Sequence, residues 1–141
     1  MARKRMLSPD FFSSRPVNNL SVEAMVTFAG LWVYFDDYGR GEDDTALVKS
    51  AVWPRRRAIS EKKVASHLDA IEKEGLVCRY VVADCRLLHI PSWDEHQKIS
   101  HKTESRLPPC PNHERDEYEG FLSGSDPARA RFRSETGAIQ K

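Results

Sequence analysis

The sequence predicts a mixed α+β domain, three helices followed by a β-hairpin, and three observations predict it. Capping residues precede three helix-forming runs, at Ser21, Asp44 and Ser60. Two β-rich runs, residues 76–82 and 85–91, follow the third helix and are joined by a short polar turn. From about Ser105 the periodicity stops, and prolines with small polar residues take over. The 141 residues suit one domain of ordinary size.

The elements follow in chain order. Ser8-Pro9-Asp10-Phe11-Phe12 predicts one helical turn, with Ser8 as cap and Pro9 at the first helical position. The first long helix starts at Ser21 and runs to about Asp36. On a helical wheel Glu23, Thr27, Gly30 and Tyr34 form a narrow small-or-polar stripe, and apolar residues cover the rest. That pattern predicts a central helix packed on several sides. Asp36-Asp37-Tyr38-Gly39-Arg40-Gly41 is turn chemistry, and with Glu42, Asp43 and Asp44 it predicts a solvated acidic loop. Asp44 caps a second, short helix from Thr45 to about Val52, which ends ahead of Trp53-Pro54.

The third helix carries the clearest signals. Ser60 is its cap, and Ile59 and Val64 occupy the two positions of a hydrophobic staple. Val64, Leu68 and Ile71 form its buried stripe, with His67 at the edge, and Gly75 is placed to end it in a left-handed conformation. In the hairpin a turn at Ala83-Asp84 pairs Val82 with Cys85 and Cys78 with His89, so Cys78 and Cys85 do not meet. Pro91 stops the second strand.

This order of elements is that of a winged helix-turn-helix domain, with the third helix for recognition and residues 76–90 as the wing. Opposite the buried stripe lie Lys62, Lys63, Ser66, Asp69, Ala70 and Lys73. Lysines, a hydroxyl and a small side chain suit a helix lying in a major groove. Arg55, Arg56 and Arg57 precede that helix, Arg79 and Arg86 lie on the wing, and Arg3, Lys4 and Arg5 form a basic arm, all placed to meet phosphates. The formal net charge of +1 conceals an uneven distribution, with five acidic residues gathered in 36–49. A uniformly basic nucleic-acid coat is therefore excluded, and a local basic face is not.

Four blocks resemble a known group: Leu31-Trp32-Val33-Tyr34-Phe35-Asp36-Asp37-Tyr38-Gly39-Arg40, Ala51-Val52-Trp53-Pro54, Leu68-Asp69-Ala70-Ile71-Glu72-Lys73-Glu74-Gly75-Leu76, and Ile90-Pro91-Ser92-Trp93-Asp94-Glu95-His96-Gln97-Lys98-Ile99. With the ending Ser105-Arg106-Leu107-Pro108, they look like the N-terminal winged-helix domain of phage replication-initiation or replisome-organiser proteins, related to DnaD-type primosome proteins. The resemblance covers about residues 3–108, and the Asp-Asp-x-Gly-Arg and Trp-x-x-His-Gln blocks are its more specific parts. It implies binding to an origin or a single-strand/duplex junction, and recruitment of host helicase-loading proteins. Such proteins often continue into a second helical domain, whereas residues 109–141 here are short and polar.

Other chemistries find less support. Cys110-Pro111-Asn112-His113 has a ligand-like spacing, but a structural zinc site wants four ligands in two close pairs. Cys78, Cys85, His96 and His101 are the other candidates, but Cys78 and Cys85 do not meet across the hairpin, so reduced cysteines and no metal or other cofactor are expected. His96 and His101 near Asp94, Glu95 and Glu104 form no recognisable hydrolase or nuclease motif, so no catalysis is expected. Trp93 reads as an anchor on the hairpin, with His96 and Gln97 bonding to the domain's own backbone; the alternative sets His96, Gln97 and Lys98 on the DNA surface.

The expected organisation is a basic arm over 1–7, a winged helix-turn-helix domain over 8–104, and a flexible, disordered tail over 105–141 with a transient helix near 129–135. No run is long and apolar enough for a membrane span, and no secretory signal follows Met1, so a cytoplasmic protein of a bacterial host cell is expected. Duplex DNA is the expected partner. The alternative is a protein-interaction module, binding a host replication or transcription factor, or a transcriptional regulator using the same fold, and the apolar first helix leaves room for a homodimer.

Overall fold

The structure, a computed structural model, describes residues 3–124 and Phe132. Its element order is α1 (Asp10–Ser13), α2 (Arg15–Asn18), α3 (Val22–Tyr34), β1 (Arg40–Glu42), α4 (Thr45–Val52), α5 (Glu61–Lys73), β2 (Cys78–Val82), β3 (Cys85–His89), α6 (Trp93–His96) and α7 (Arg115–Ser123). The chain is thus mixed α+β, with an antiparallel sheet in the order β1-β3-β2.

The three main helices start where their caps place them. The Ser21 hydroxyl accepts from the Ala24 amide, the Asp44 carboxylate from the Ala46 and Leu47 amides, and the Ser60 hydroxyl from the Lys63 amide. Gly75 closes α5 at φ +75°, where no side chain is strained because there is none. Near the N-terminus one expected turn is two, α1 and α2. Ser14 is extended between them and caps the second by accepting from the Val17 amide.

Helix α3 departs from the expected bounds. It ends at Tyr34 rather than Asp36, because Phe35 turns extended and drives its ring into the core at 0% exposure. The small-or-polar stripe is partly buried, in keeping with a central helix. Thr27 accepts a hydrogen bond from Trp53 Nε1 at 2.8 Å and bonds to His67 Nδ1 at 2.9 Å. Gly30 abuts α4 so closely that a Cβ there would stand 2.5 Å from Val52. The face left open is apolar: Val22, Val26 and Val33 are exposed.

The acidic loop is likewise not simply solvated. Residues 40–42, read as turn, form β1 and pair with β3, Arg40 opposite His89 and Glu42 opposite Leu87. Asp36 bends the chain by accepting from the amides of Tyr38 and Arg40 and from the Ser105 hydroxyl. Asp37 and the side chain of Asp43 are buried. Trp93 anchors this turn rather than the hairpin alone: it donates from Nε1 to the Asp37 carbonyl at 2.8 Å and stacks on Trp32 at 5.1 Å. Gln97 bonds to the backbone, as expected, clasping both the amide and the carbonyl of Met6. His96 instead sets its ring edge-on to Trp32.

In the hairpin the register is the expected one, Val82 with Cys85 and Cys78 with His89. Alternation then sorts the side chains. Leu88 joins α3, α4 and α5 in one core with Val48, Val64, Leu68 and Ile71. Tyr80, Val82 and Leu87 leave by the opposite face and meet Cys110, Phe121 and Phe132 in a second core.

That second core corrects the expected tail. Residues 105–124 hold a helix, α7, and bury Ser105, Pro108, Pro109, Cys110 and Phe121. Four polar ties fix the segment: Tyr80 donates to the Pro108 carbonyl, and Arg40 donates to the Leu107 carbonyl and, twice, to the Glu114 carboxylate. A side chain buried on a sheet face supplies the order that local periodicity does not. Of the expected tail beyond Gly124, Phe132 alone is described, and the helix expected near 129–135 otherwise lies outside the described residues.

Candidate nucleic-acid interface

The candidate face is built on α5. Val64, Leu68 and Ile71 point inward at 0% exposure, which turns Lys62, Lys63, Ser66, Asp69 and Lys73 outward, all exposed. Ala70, counted on that face, is half-buried. Lys62, Lys63 and Lys73 make no hydrogen bond or ion pair with another side chain among the described residues. Immediately upstream Arg55, Arg56 and Arg57 are exposed and equally free of partners there. The loop that carries them is pinned by the Arg56 amide on the Trp53 carbonyl and by Ile59, which is buried beside the start of α5. Five cations therefore gather around one helix end, at Arg55, Arg56, Arg57, Lys62 and Lys63.

The other end of the helix is different. Arg79 on β2 donates to Asp69 at 2.7 Å, reaches Glu72 at 3.5 Å and pairs with Asp43 at 3.1 Å. Burial alone would lower its pKa, but these three carboxylates outweigh that and raise it. The expected role of Arg79 on phosphates is thus corrected: it ties α5, the hairpin and the acidic loop together. Leaving that post would strand three carboxylates, one of them buried. Arg86 is more open, its side chain 69% exposed and only 3.7 Å from Asp43, so it remains on the rim of the face.

The expected basic arm is divided. Arg5 is folded inward with its side chain 4% exposed; it donates to the carbonyls of Trp32 and Phe35 and to Asp37, and lies over the Trp93 ring. It is a structural cation, which corrects its expected role as a phosphate contact. Arg3 pairs with Asp37 while half-exposed, and Lys4 is exposed. Residues 1 and 2 lie outside the described residues. His67 is buried against Thr27, consistent with its expected place at the edge of the stripe rather than among base contacts.

Sequence reasoning missed the group on the far face of the sheet, where Cys78, Cys110 and His113 converge. The signals were the Cys110-x-x-His113 spacing and the hairpin register that sets Cys78 opposite His89; what the sequence does not show is that residues 110–113 fold back onto that face of the sheet. Comparison with protein-family models, with curated proteins and with solved structures finds no match to this chain. The functional reading therefore rests on the geometry of the α5 face. No helix among the described residues is long and apolar enough to cross a membrane.

Proposed function

We propose that this chain is a non-catalytic DNA-binding protein whose fold serves as a winged helix-turn-helix. In this reading α5 enters the major groove with Lys62, Lys63 and Ser66, and Lys73 flanks it. Arg55, Arg56, Arg57 and the hairpin's Arg86 take phosphates. The observation that carries the reading is the open cationic end of α5. Five exposed, unpartnered cations lie within eight residues of one another, against the single exposed carboxylate of Glu61, and an anionic surface would relieve their mutual repulsion. The neutralised Arg79 end sets the footprint: contact concentrates on the N-terminal half of α5, the half that helix-turn-helix proteins turn toward base edges. The resemblance of the sequence blocks given above supports a phage or prophage replication or regulatory role, with duplex DNA as the proposed partner.

The test is a titration of labelled duplex at several salt concentrations. Each lysine or arginine that neutralises a phosphate adds about 0.9 to the slope of log affinity against log salt. Replacing Lys62, Lys63 and Lys73 by alanine should flatten that slope, and replacing Arg55, Arg56 and Arg57 should flatten it further. A triple lysine variant that keeps the full slope defeats the assignment.

A different observation favours the second reading, a protein-docking module. Val22, Val26 and Val33 project from one side of α3 at 76%, 42% and 45% exposure, an apolar stripe suited to a second copy or another protein. Light scattering on the free chain and on a Val26→Lys variant separates the two. A dimer that the lysine abolishes, together with no duplex binding, favours docking.

A further inference from the structure

We propose that Cys78, Cys110, His113 and His89 form a structural zinc site that clamps the segment after α6 onto the sheet. This site is independent of the α5 face and stands whether or not that face binds DNA.

Two of the donor separations already match what a zinc ion imposes, Cys78 to Cys110 and Cys110 to His113. Zn–S bonds of about 2.3 Å and Zn–N bonds of about 2.0–2.1 Å at tetrahedral angles set S···S near 3.8 Å and S···N near 3.6 Å. Cys78 Sγ lies 3.8 Å from Cys110 Sγ, and Cys110 Sγ lies 3.5 Å from His113 Nδ1. The three donor atoms all fall within 4.8 Å of one another. A disulfide requires an S–S separation of about 2.05 Å, far shorter than the one here.

His89 supplies the independent observation. Its imidazole is 4% exposed, and Nδ1 has no hydrogen-bond partner among the described residues. A buried ring nitrogen without a partner is costly, and a metal ion removes the cost. The register sets His89 directly opposite Cys78, so the two side chains leave the sheet on the same face. Its ring centroid is 5.9 Å from that of His113. Cys78, Cys110 and His113 already stand together, and His89, which lies outside that 4.8 Å group, would close the site by turning its free Nδ1 toward them from across the hairpin.

The surroundings match those of bound metal. His89 Nε2 faces the Glu114 carboxylate at 3.7 Å, the arrangement in which a carboxylate orients an imidazole and leaves its other nitrogen for the ion. Glu114 is itself held by Arg40 at 2.8 and 3.1 Å and accepts the Cys110 amide at 2.9 Å. Asn112 Nδ2 donates to Cys78 Sγ at 3.3 Å, as an amide does to a ligating thiolate. Arg40 and Glu114 cancel, so two thiolates with one divalent ion leave the site neutral. Two thiols and two imidazoles select zinc over magnesium or calcium, which want oxygen. Four protein ligands leave no open position for catalysis, so the role is structural.

The test uses the full chain purified under reducing conditions, with zinc content measured by mass spectrometry and cobalt(II) titrated into the chelator-treated protein. The expected results are one zinc per chain and a cobalt complex with tetrahedral d–d bands and thiolate-to-cobalt charge transfer. Cys78→Ser, Cys110→Ser and His113→Gln should each weaken cobalt binding at least tenfold, and His89→Gln should weaken it and shift the d–d bands. Cys85→Ser should bind as the parent does. Because a variant can fail to fold, alkylation of the unaltered chain is the second measurement: zinc should protect Cys78 and Cys110, while Cys85 reacts. Equal reactivity of all three thiols with zinc present, absence of the thiolate–cobalt band in reduced protein, or a metal-free Cys78–Cys110 disulfide overturns the proposal. A His89→Gln variant with unchanged affinity and bands overturns the four-ligand assignment.

Discussion

Asp37 is 2% exposed, and both its oxygens are engaged. One accepts from Arg5 at 2.9 Å, and the other from Arg3 and from the Thr103 amide at 2.8 Å. Burial pushes the carboxyl upward, but the Thr103 amide and the two guanidinium groups outweigh it and hold the carboxyl below its ordinary range. A folded value below the unfolded one means that the stabilisation is present above the ordinary carboxyl range and is lost as pH falls through the lowered value. Asp37→Ala leaves the Arg5 guanidinium buried without its counterion, so it should cost about 3–5 kcal/mol in urea unfolding. Asp37→Asn should cost less, since an amide oxygen still accepts. His67 works in the opposite charge sense. Burial lowers its pKa below 6.5, Glu23 at 3.5 Å opposes that, and Lys63 adds to it. Neutral in the fold and charged when unfolded, it should withdraw stability as pH drops below about 6.5 toward its own lower value. His67→Gln should flatten that part of the stability–pH curve while keeping the Thr27 bond; an unchanged curve would show that His67 is not the group responsible.

The hairpin turn concentrates backbone strain in two residues. Ala83 and Asp84 both have positive φ, 50° and 67°, the conformation of a tight two-residue hairpin turn that favours Asn and Gly. Alanine there costs about 1 kcal/mol, so Ala83→Gly should raise the melting temperature by roughly 4 °C without altering the sheet. Ala83→Val should lower it. The position of this turn was legible in the sequence, as were the caps at Ser21, Asp44 and Ser60, the α5 stripe and the register of the hairpin. Each is set by residues within a few positions of one another. What stayed hidden depends on partners far along the chain. Arg40–Glu42 is a strand only because β3 lies beside it, and Thr27 faces inward only because His67 and Trp53 meet it there. The candidate face divides in the same way. The exposure of Lys62, Lys63, Ser66 and Lys73 follows from the helical period alone. Arg79 and Arg5 looked equally free, yet their carboxylates come from Asp43, Asp69 and Glu72, and from Asp37.

At the scale of the molecule the sheet is a middle layer, with three main helices on one side and residues 105–124 with Phe132 on the other. Without the third layer, Tyr80, Val82 and Leu87 would face water, and Arg40 would lose Glu114. Fully burying a side chain of that size stabilises by about 1.5–3 kcal/mol. Exposing three of them removes a large part of the roughly 5–15 kcal/mol typical of a whole domain. A chain ending at Glu104 should therefore unfold at far lower urea, or aggregate through the bared sheet face, whereas an appended flexible tail could be removed at no cost. A chain ending at Gly124 should fall between the two, since it keeps Cys110, Glu114 and Phe121 but loses the Phe132 ring packed 6.1 Å from Phe121. Running all three with and without a zinc chelator separates packing from metal. Chelation should lower the midpoint of the full chain and of the chain ending at Gly124, and leave the chain ending at Glu104 unmoved, because that chain has already lost two of the four ligands. Equal midpoints for the full chain and the chain ending at Glu104 would mean that the helices and the bare sheet suffice.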